Sequence, residues 1–268
     1  MKDLLRETLQ DSGNDFQRRS KAREYLQARI LLALQDHGAF SNWAFVGGTA
    51  LRFLYGLPRY SEDLDFSLLT PSSDARFEKL MHAAQHDLTA EAYDVRLKVK
   101  MRASVASAFV TFRGLLHELG LSPNRDEALR VKVEIDTNPP AGAGVETRLV
   151  RRFVMLNLLH YDRSSLLSGK LHAVLSRKYT KGRDLYDLAW YLADPKWPSP
   201  NTEQLNNALL QTGWTGPEAT SENWRSLILK KLETVDWAQA LRDVMPFLER
   251  KQDVELVSRE SLVPLLQK

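Results

Sequence analysis

The sequence predicts an α+β protein, with a sheet-bearing module to about residue 155 followed by a helical module to residue 268. Three observations predict it. Residues 129–136 (Leu-Arg-Val-Lys-Val-Glu-Ile-Asp) alternate apolar and polar without a break, the period of a half-buried strand. An apolar run ending at Val46 meets the glycine pair Gly47-Gly48 ahead of a short helical segment. From Ser165 onward the apolar spacing is helical almost throughout.

Taken in order, residues 15–37 read as a helix. Tyr25, Ala28 and Leu32 share one face, Leu26, Ile30, Ala33 and Leu34 widen it, and Gly38 supplies a stop. Residues 43–46 form a short strand. Thr49 to Leu54 are helical, and Pro58 ends that pattern. A strand runs from about Leu64 to Leu69, and the loop Thr70 to Asp74 offers N-cap candidates for a helix over 75–92. Val95, Leu97, Val99 and Met101 alternate with charged residues, and Val105 to Phe112 is an apolar, β-branched run; both suit antiparallel strands. Pro139, Pro140, Gly142 and Gly144 make a loop. Helices are expected over 165–178, 183–193, 202–211, 222–234 and 236–249, separated by Pro195, Pro198, Pro200 and the Gly213/Gly216/Pro217 cluster. The expected division is 1–155 for the sheet module with its N-terminal helix and 156–268 for the helical one.

A chain of 268 residues with 43% hydrophobic content can bury a substantial core. Lys plus Arg number 37 against 34 Asp plus Glu, so net charge identifies no partner. Its distribution says more: from Arg163 to Arg183 stand Arg163, Lys170, Arg177, Lys178, Lys181 and Arg183 with no acid between them. Without cysteine, disulfides and thiolate zinc sites are excluded. No apolar run approaches the roughly 20 residues of a membrane helix, and Met1 to Gln10 lack a signal-peptide core, so a cytoplasmic protein with no membrane partner is expected. His82 and His86 are spaced i, i+4 but lack the Glu of a zinc protease, and read as helix surface; the scattered tryptophans read mostly as core.

Residues 46–66 carry the chemistry. Side chains two apart on a strand point to one face, so Asp63 and Asp65 can present two carboxylates to one cation. Gly47 and Gly48 let backbone approach an anion, and the helix that follows directs unpaired N–H groups at it. Arg59 and Ser61 stand just ahead of the acids, placed to contact phosphate or to pair with Glu62. A two-metal site wants a third carboxylate from a neighbouring strand, and Glu134 or Asp136 supplies it, with mid-strand Glu134 the first choice. Lys170 and Arg177 recur at helical spacing in the acid-free run, and Asp184 opens the next helix. Such a run can hold a triphosphate or an RNA backbone. Phosphate cradle plus paired acids is the layout of metal-assisted nucleotidyl transfer.

Four blocks, Gly47-Gly48-Thr49-Ala50-Leu51-Arg52, Arg59-x-Ser61-Glu62-Asp63-Leu64-Asp65-Phe66, Lys170-Leu-x-Ala173-x-x-x-Arg177 and Arg183-Asp184-Leu185-Tyr186-Asp187-Leu188, resemble the AbiEii/AbiGii family. Its members are nucleotidyltransferase-like toxins of bacterial toxin–antitoxin and phage-abortive (abortive infection) systems. The resemblance covers roughly residues 40–192. It implies a DNA-polymerase-β-like nucleotidyltransferase core, a mixed sheet with flanking helices, followed by a helical C-terminal part. It further implies Mg²⁺, a nucleoside triphosphate as substrate, and transfer of a nucleotide to an acceptor, first of all the 3′ end of tRNA, which blocks translation and growth until a cognate antitoxin relieves it. By the same resemblance Asp63 and Asp65 are metal ligands, with Glu134 or Asp136 as a third. Gly47, Gly48 and Thr49 form the nucleotide loop, with Arg52, Arg59 and Ser61 beside it. Lys170 is the motif lysine, contributed with Asp184 by the helical part. Two other readings remain open on sequence: transfer to a small-molecule or protein hydroxyl, and an inactive nucleotide- or antitoxin-binding module.

Overall fold

The computed structural model describes residues 2–10, 13–72, 75–102 and 104–267. In chain order the elements are α1 (Lys2–Gln10), α2 (Asp15–Asp36), β1 (Trp43–Val46), α3 (Gly47–Tyr55), β2 (Leu64–Leu68), α4 (Phe77–Ala90), β3 (Val95–Met101), β4 (Val105–Phe112), α5 (Leu115–Glu118), β5 (Leu129–Asp136), β6 (Val145–Arg152) and β7 (Val154–Tyr161). Then come α6 (Arg163–Ser176), α7 (Gly182–Ala193), α8 (Thr202–Gln211), α9 (Trp224–Leu232), α10 (Trp237–Val244) and α11 (Arg259–Leu266). Two of the expected helix caps, Ser73 and Asp74, lie outside the described residues; α4 starts instead after Arg76, whose φ is +52°. The chain divides into two compact units. One comprises Met1–Leu54, Tyr60–Pro139 and Thr147–His160, the other Tyr55–Arg59, Pro140–Glu146 and Tyr161–Lys268.

The first unit is built on a seven-stranded mixed sheet of order β3-β4-β5-β2-β1-β7-β6. β1 with β2, β3 with β4 and β4 with β5 are antiparallel, whereas β2 with β5 and β1 with β7 are parallel. Alternation assigns each face. Phe66, Val133, Ile135, Ala106, Ala108, Val110 and Phe112 are buried on the core face. There Trp43 stacks on Phe77 of α4 with ring centroids 5.5 Å apart, and Phe45 meets Phe66 at 5.4 Å. Helix α2 packs on α4 and β5, and α4 on β3 and β4. A capping box opens α2: the Asn14 side chain accepts from Gln17 N–H while the Gln17 side chain accepts from Asn14 N–H. Its buried stripe runs through Tyr25, Ala28, Leu31 and Leu34.

In the second unit every described element from Arg163 onward is an α- or 3₁₀-helix. The Asp162 side chain caps α6 by accepting from Ser165 N–H at 2.7 Å. α6 packs on α7, α8 and α9, and α7 on α10 and α11. Gly182 opens α7 directly against α10: a Cβ there would lie 1.8 Å from the Ala240 carbonyl oxygen, so only glycine permits this approach. Of the tryptophans, Trp43 and Trp224 are buried, whereas Trp190, Trp197, Trp214 and Trp237 keep part of their surface in solvent. The expectation of a mostly core role therefore holds for two. His82 and His86 are exposed on α4.

Candidate active site

Sheet register assembles the first-unit cluster. Val46, the last residue of β1, pairs with Asp65 on β2, and Asp65 pairs on its other side with Glu134 on β5. Ser67 and Asp136 form the next pair along on the same face, two residues further on. Paired residues share a face, so Asp65, Glu134 and Asp136 stand opposite the aromatic core. Gly47 follows Val46 and turns with φ +80°, and a Cβ there would sit 2.6 Å from Asp65 Oδ2. The glycine is thus required twice, for its backbone conformation and for its closeness to a carboxylate.

The segment ahead of β2 is tied down from two helices. Arg23 pairs with Glu62 at 3.1 Å, and Gln27 Nε2 donates to the Ser61 carbonyl at 3.1 Å. Buried Thr49 donates its hydroxyl to the Asp63 carbonyl. Thr49 therefore sets the position of Asp63 from the first turn of α3. Arg52, 3% exposed, pairs with Glu24 at 2.6 Å and lies 4.5 Å over the Tyr60 ring. Glu24 also takes Arg152, so two cations share one buried acid.

Glu134 and Asp136 differ in surroundings. Lys132 Nζ pairs with Glu134 Oε2 at 2.7 Å, both side chains about one-third exposed. Asp136 Oδ1 accepts from Asn138 N–H at 2.9 Å, and burial pushes its carboxyl above the usual range despite that bond. Among the described residues no three His, Asp or Glu side chains stand together as a metal-holding group. The carboxylates that a divalent cation would draw on are those of Asp65 and Glu134 side by side, with Asp63 two residues ahead of Asp65 and Asp136 two residues beyond Glu134. Magnesium usually takes one or two carboxylates and completes its shell with water and substrate phosphates, so this donor set fits it.

The second unit holds its own charged cluster. Arg59 grips the fully buried Asp187 through Nε and Nη2, each at 2.6 Å. Lys170 Nζ lies 2.7 Å from Asp187 and 3.3 Å from Asp184, and Arg177 also pairs with Asp184. Burial alone would lower the Lys170 pKa, but the Asp187 and Asp184 charges outweigh it and hold the ammonium above its ordinary value. Burial would raise Asp187, and Arg59 with Lys170 hold it below the ordinary carboxylate range instead. Sequence alone assigns Asp187 no role. Its spacing of three from Asp184, one helical turn on the same face, was the available signal.

The acid-free run is largely engaged within its own unit. Arg163 lies 5.1 Å over both the Tyr55 and Trp197 rings, Arg183 lies 4.3 Å over Phe247, and Lys170 and Arg177 hold the acids just described. Lys178 and Lys181 are exposed.

No curated protein sequence matches the chain. Among solved structures, JHP933 from Helicobacter pylori matches with a TM-score of 0.57 and 19% identity, over 92% of this chain and 90% of that one. A second Helicobacter pylori protein, described as a candidate nucleotidyltransferase, matches with a TM-score of 0.50 and 17% identity, over 90% of this chain and 92% of that one. At these identities the likeness is one of fold. The family model described as "Nucleotidyl transferase AbiEii toxin, Type IV TA system" matches residues 29–259. Spanning most of the chain and both charged clusters, that match establishes that the protein belongs to the AbiEii nucleotidyltransferase toxins of type IV toxin–antitoxin systems.

Proposed function

We propose that this chain is an Mg²⁺-dependent nucleotidyltransferase toxin that moves a nucleotide from a nucleoside triphosphate to the 3′ end of an RNA, tRNA first, and so stops translation and growth. The observation that carries the reading is the Gly47–Asp65–Glu134 arrangement. A glycine that tolerates no side chain abuts one carboxylate, and sheet register sets a second carboxylate beside it. A site in the cytoplasm and relief by a cognate antitoxin complete the proposal, as does a DNA-polymerase-β-like core followed by a helical domain that contributes Lys170 and Asp184.

Asp63, Asp65 and Glu134 are the ligands assigned to magnesium, with Asp136 the alternative third acid. When bound, the ion supplies charge neutralisation at the phosphates and a lowered pKa for the attacking hydroxyl. Gly47, Gly48 and Thr49 offer the start of α3 to the triphosphate. Arg52, Arg59 and Ser61 are assigned to the nucleotide side, Arg52 and Arg59 through the segments they brace. The RNA 3′ oxygen bonds to the α-phosphorus, the bond from that phosphorus to the bridging oxygen breaks, and pyrophosphate leaves. The hydroxyl proton passes to the Glu134 carboxylate. Lys170 provides a compact positive charge for the triphosphate, and its 3.3 Å contact with Asp184 supports an orienting role for that acid.

The test is incubation of the purified chain with magnesium, total RNA and each α-labelled triphosphate in turn. Label in the tRNA band is expected. An absence of label in RNA with all four triphosphates, or label only in protein or small-molecule pools, contradicts the proposal.

A further inference from the structure

The face of the sheet that carries Asp65 and Glu134 continues outward as a basic surface. Register gives three rows across β3, β4 and β5: Arg96–Thr111–Arg130, Lys98–Phe109–Lys132, and Lys100–Ser107–Glu134, the last extending to Asp65. Arg96, Lys98, Lys100 and Arg130 are exposed, and among the described residues none of the four makes an ion pair. Phe109 stands part-exposed in the middle row. Rows two residues apart along a strand are about 7 Å apart, and the three strand spacings from Lys100 to Asp65 span about 15 Å.

Edge strands often carry lysines simply to prevent strand addition. That explanation serves β3, but not Arg130 and Lys132, which project from the interior strand β5. A basic field with an aromatic ring at its centre is the combination that holds single-stranded nucleic acid, cations for the phosphates and a ring for a base. The field ends at carboxylates, which repel phosphate and admit a neutral hydroxyl.

The geometry points to a binding track for the single-stranded 3′ end of the acceptor RNA, formed by Arg96, Lys98, Lys100, Arg130 and Phe109 and leading to Asp65 and Glu134. The identity of the ligand rests on the nucleotidyl-transfer reading above; the binding itself does not. Single-stranded DNA carries the same phosphates and a 3′ hydroxyl but lacks the neighbouring 2′ hydroxyl, and an acidic protein brings neither hydroxyl to the acidic end, so RNA is the occupant that fits best.

The experiment is fluorescence anisotropy of the full chain with a labelled unstructured RNA, titrated at several salt concentrations, without triphosphate. Charge reversal at Arg96, Lys98 and Lys100 together is expected to weaken binding at least tenfold. It should lower the magnitude of the salt slope by about 2, since each single-strand phosphate contact contributes about 0.7. Phe109→Ala is expected to weaken binding about tenfold without changing the salt slope. Lys98→Arg with Lys100→Arg should bind as the parent, and Lys178→Glu with Lys181→Glu should lose less than the β3 reversal. If the reversed chain fails to fold, Arg130→Glu on β5 reads the same surface. Unchanged affinity and slope in a folded reversed variant overturn the track, as does tighter binding of labelled DNA of the same sequence. If the parent binds RNA through these residues yet transfers no nucleotide, the reaction assignment falls and the track stands.

Discussion

At the scale of single residues, Gly47 and Asp187 each carry more than their size suggests. Replacing Gly47 by alanine forces a left-handed conformation on an L-residue and drives a methyl toward the Asp65 carboxylate. Gly47→Ala is expected to cost about 1–3 kcal/mol, read as a lowered urea midpoint, and to depress transfer further by displacing Asp65. Asp187→Ala strands Arg59, 2% exposed, without its carboxylate. A loss of about 3–5 kcal/mol is expected, only part of it recovered in the Arg59→Met/Asp187→Leu double variant, which still removes the 2.7 Å partner of Lys170. The pH dependence has a definite sign. Because Asp187 is held below its ordinary 3.8, its stabilisation is complete above that pH and fades as pH falls further. Lys170, held above its ordinary 10.5, stabilises below that value and ceases to as pH rises through its raised pKa. Thermal melts of the parent and Asp187→Asn should therefore differ most at neutral pH and converge in acid.

At the scale of elements, legibility followed the presence of one buried face. β5 was readable from alternation alone because its odd positions are buried and its even positions are not. β3 and β4 were readable on similar grounds and β1 as a short apolar run ending at glycines, as were α2 and the helices from α6 to α10, to within a few residues at their ends. β6 escaped notice because residues 145–149 are all exposed, so the edge strand has no apolar period to read. β7 (Val-Met-Leu-Asn-Leu-Leu-His-Tyr) escaped notice because apolar residues stand on both of its faces, which leaves no alternation to read. α11 carries Pro264 within it, which argues locally against a helix. Sequence spacing offered Asp63 and Asp65 as a pair; only sheet register sets Glu134 level with Asp65 and Asp136 level with Ser67. The Arg59–Asp187 ion pair was likewise invisible, since it joins residues 128 apart in the chain, whereas the contact of Lys170 with Asp184, 14 residues on, follows from the two motifs. Gly182→Ala belongs to this scale: a methyl cannot share space with the Ala240 carbonyl, so α7 and α10 must separate. A melting temperature lowered by several degrees is expected, with the sheet-bearing unit's secondary structure intact by circular dichroism.

For the whole molecule, net charge is small while its distribution is not, so RNA transfer should weaken as salt rises even though the chain is only slightly basic. The central claim is that two carboxylates on adjacent strands serve nucleotidyl transfer. The most direct measurement is the rate of label transfer from triphosphate to RNA as magnesium is varied, for the parent, Asp65→Asn and Glu134→Gln. Loss of a group that supports several kcal/mol of transition-state stabilisation predicts a fall of about a thousandfold for Asp65→Asn. A smaller fall and a raised magnesium requirement are expected for Glu134→Gln. A parent rate retained by Asp65→Asn in folded protein would contradict the account.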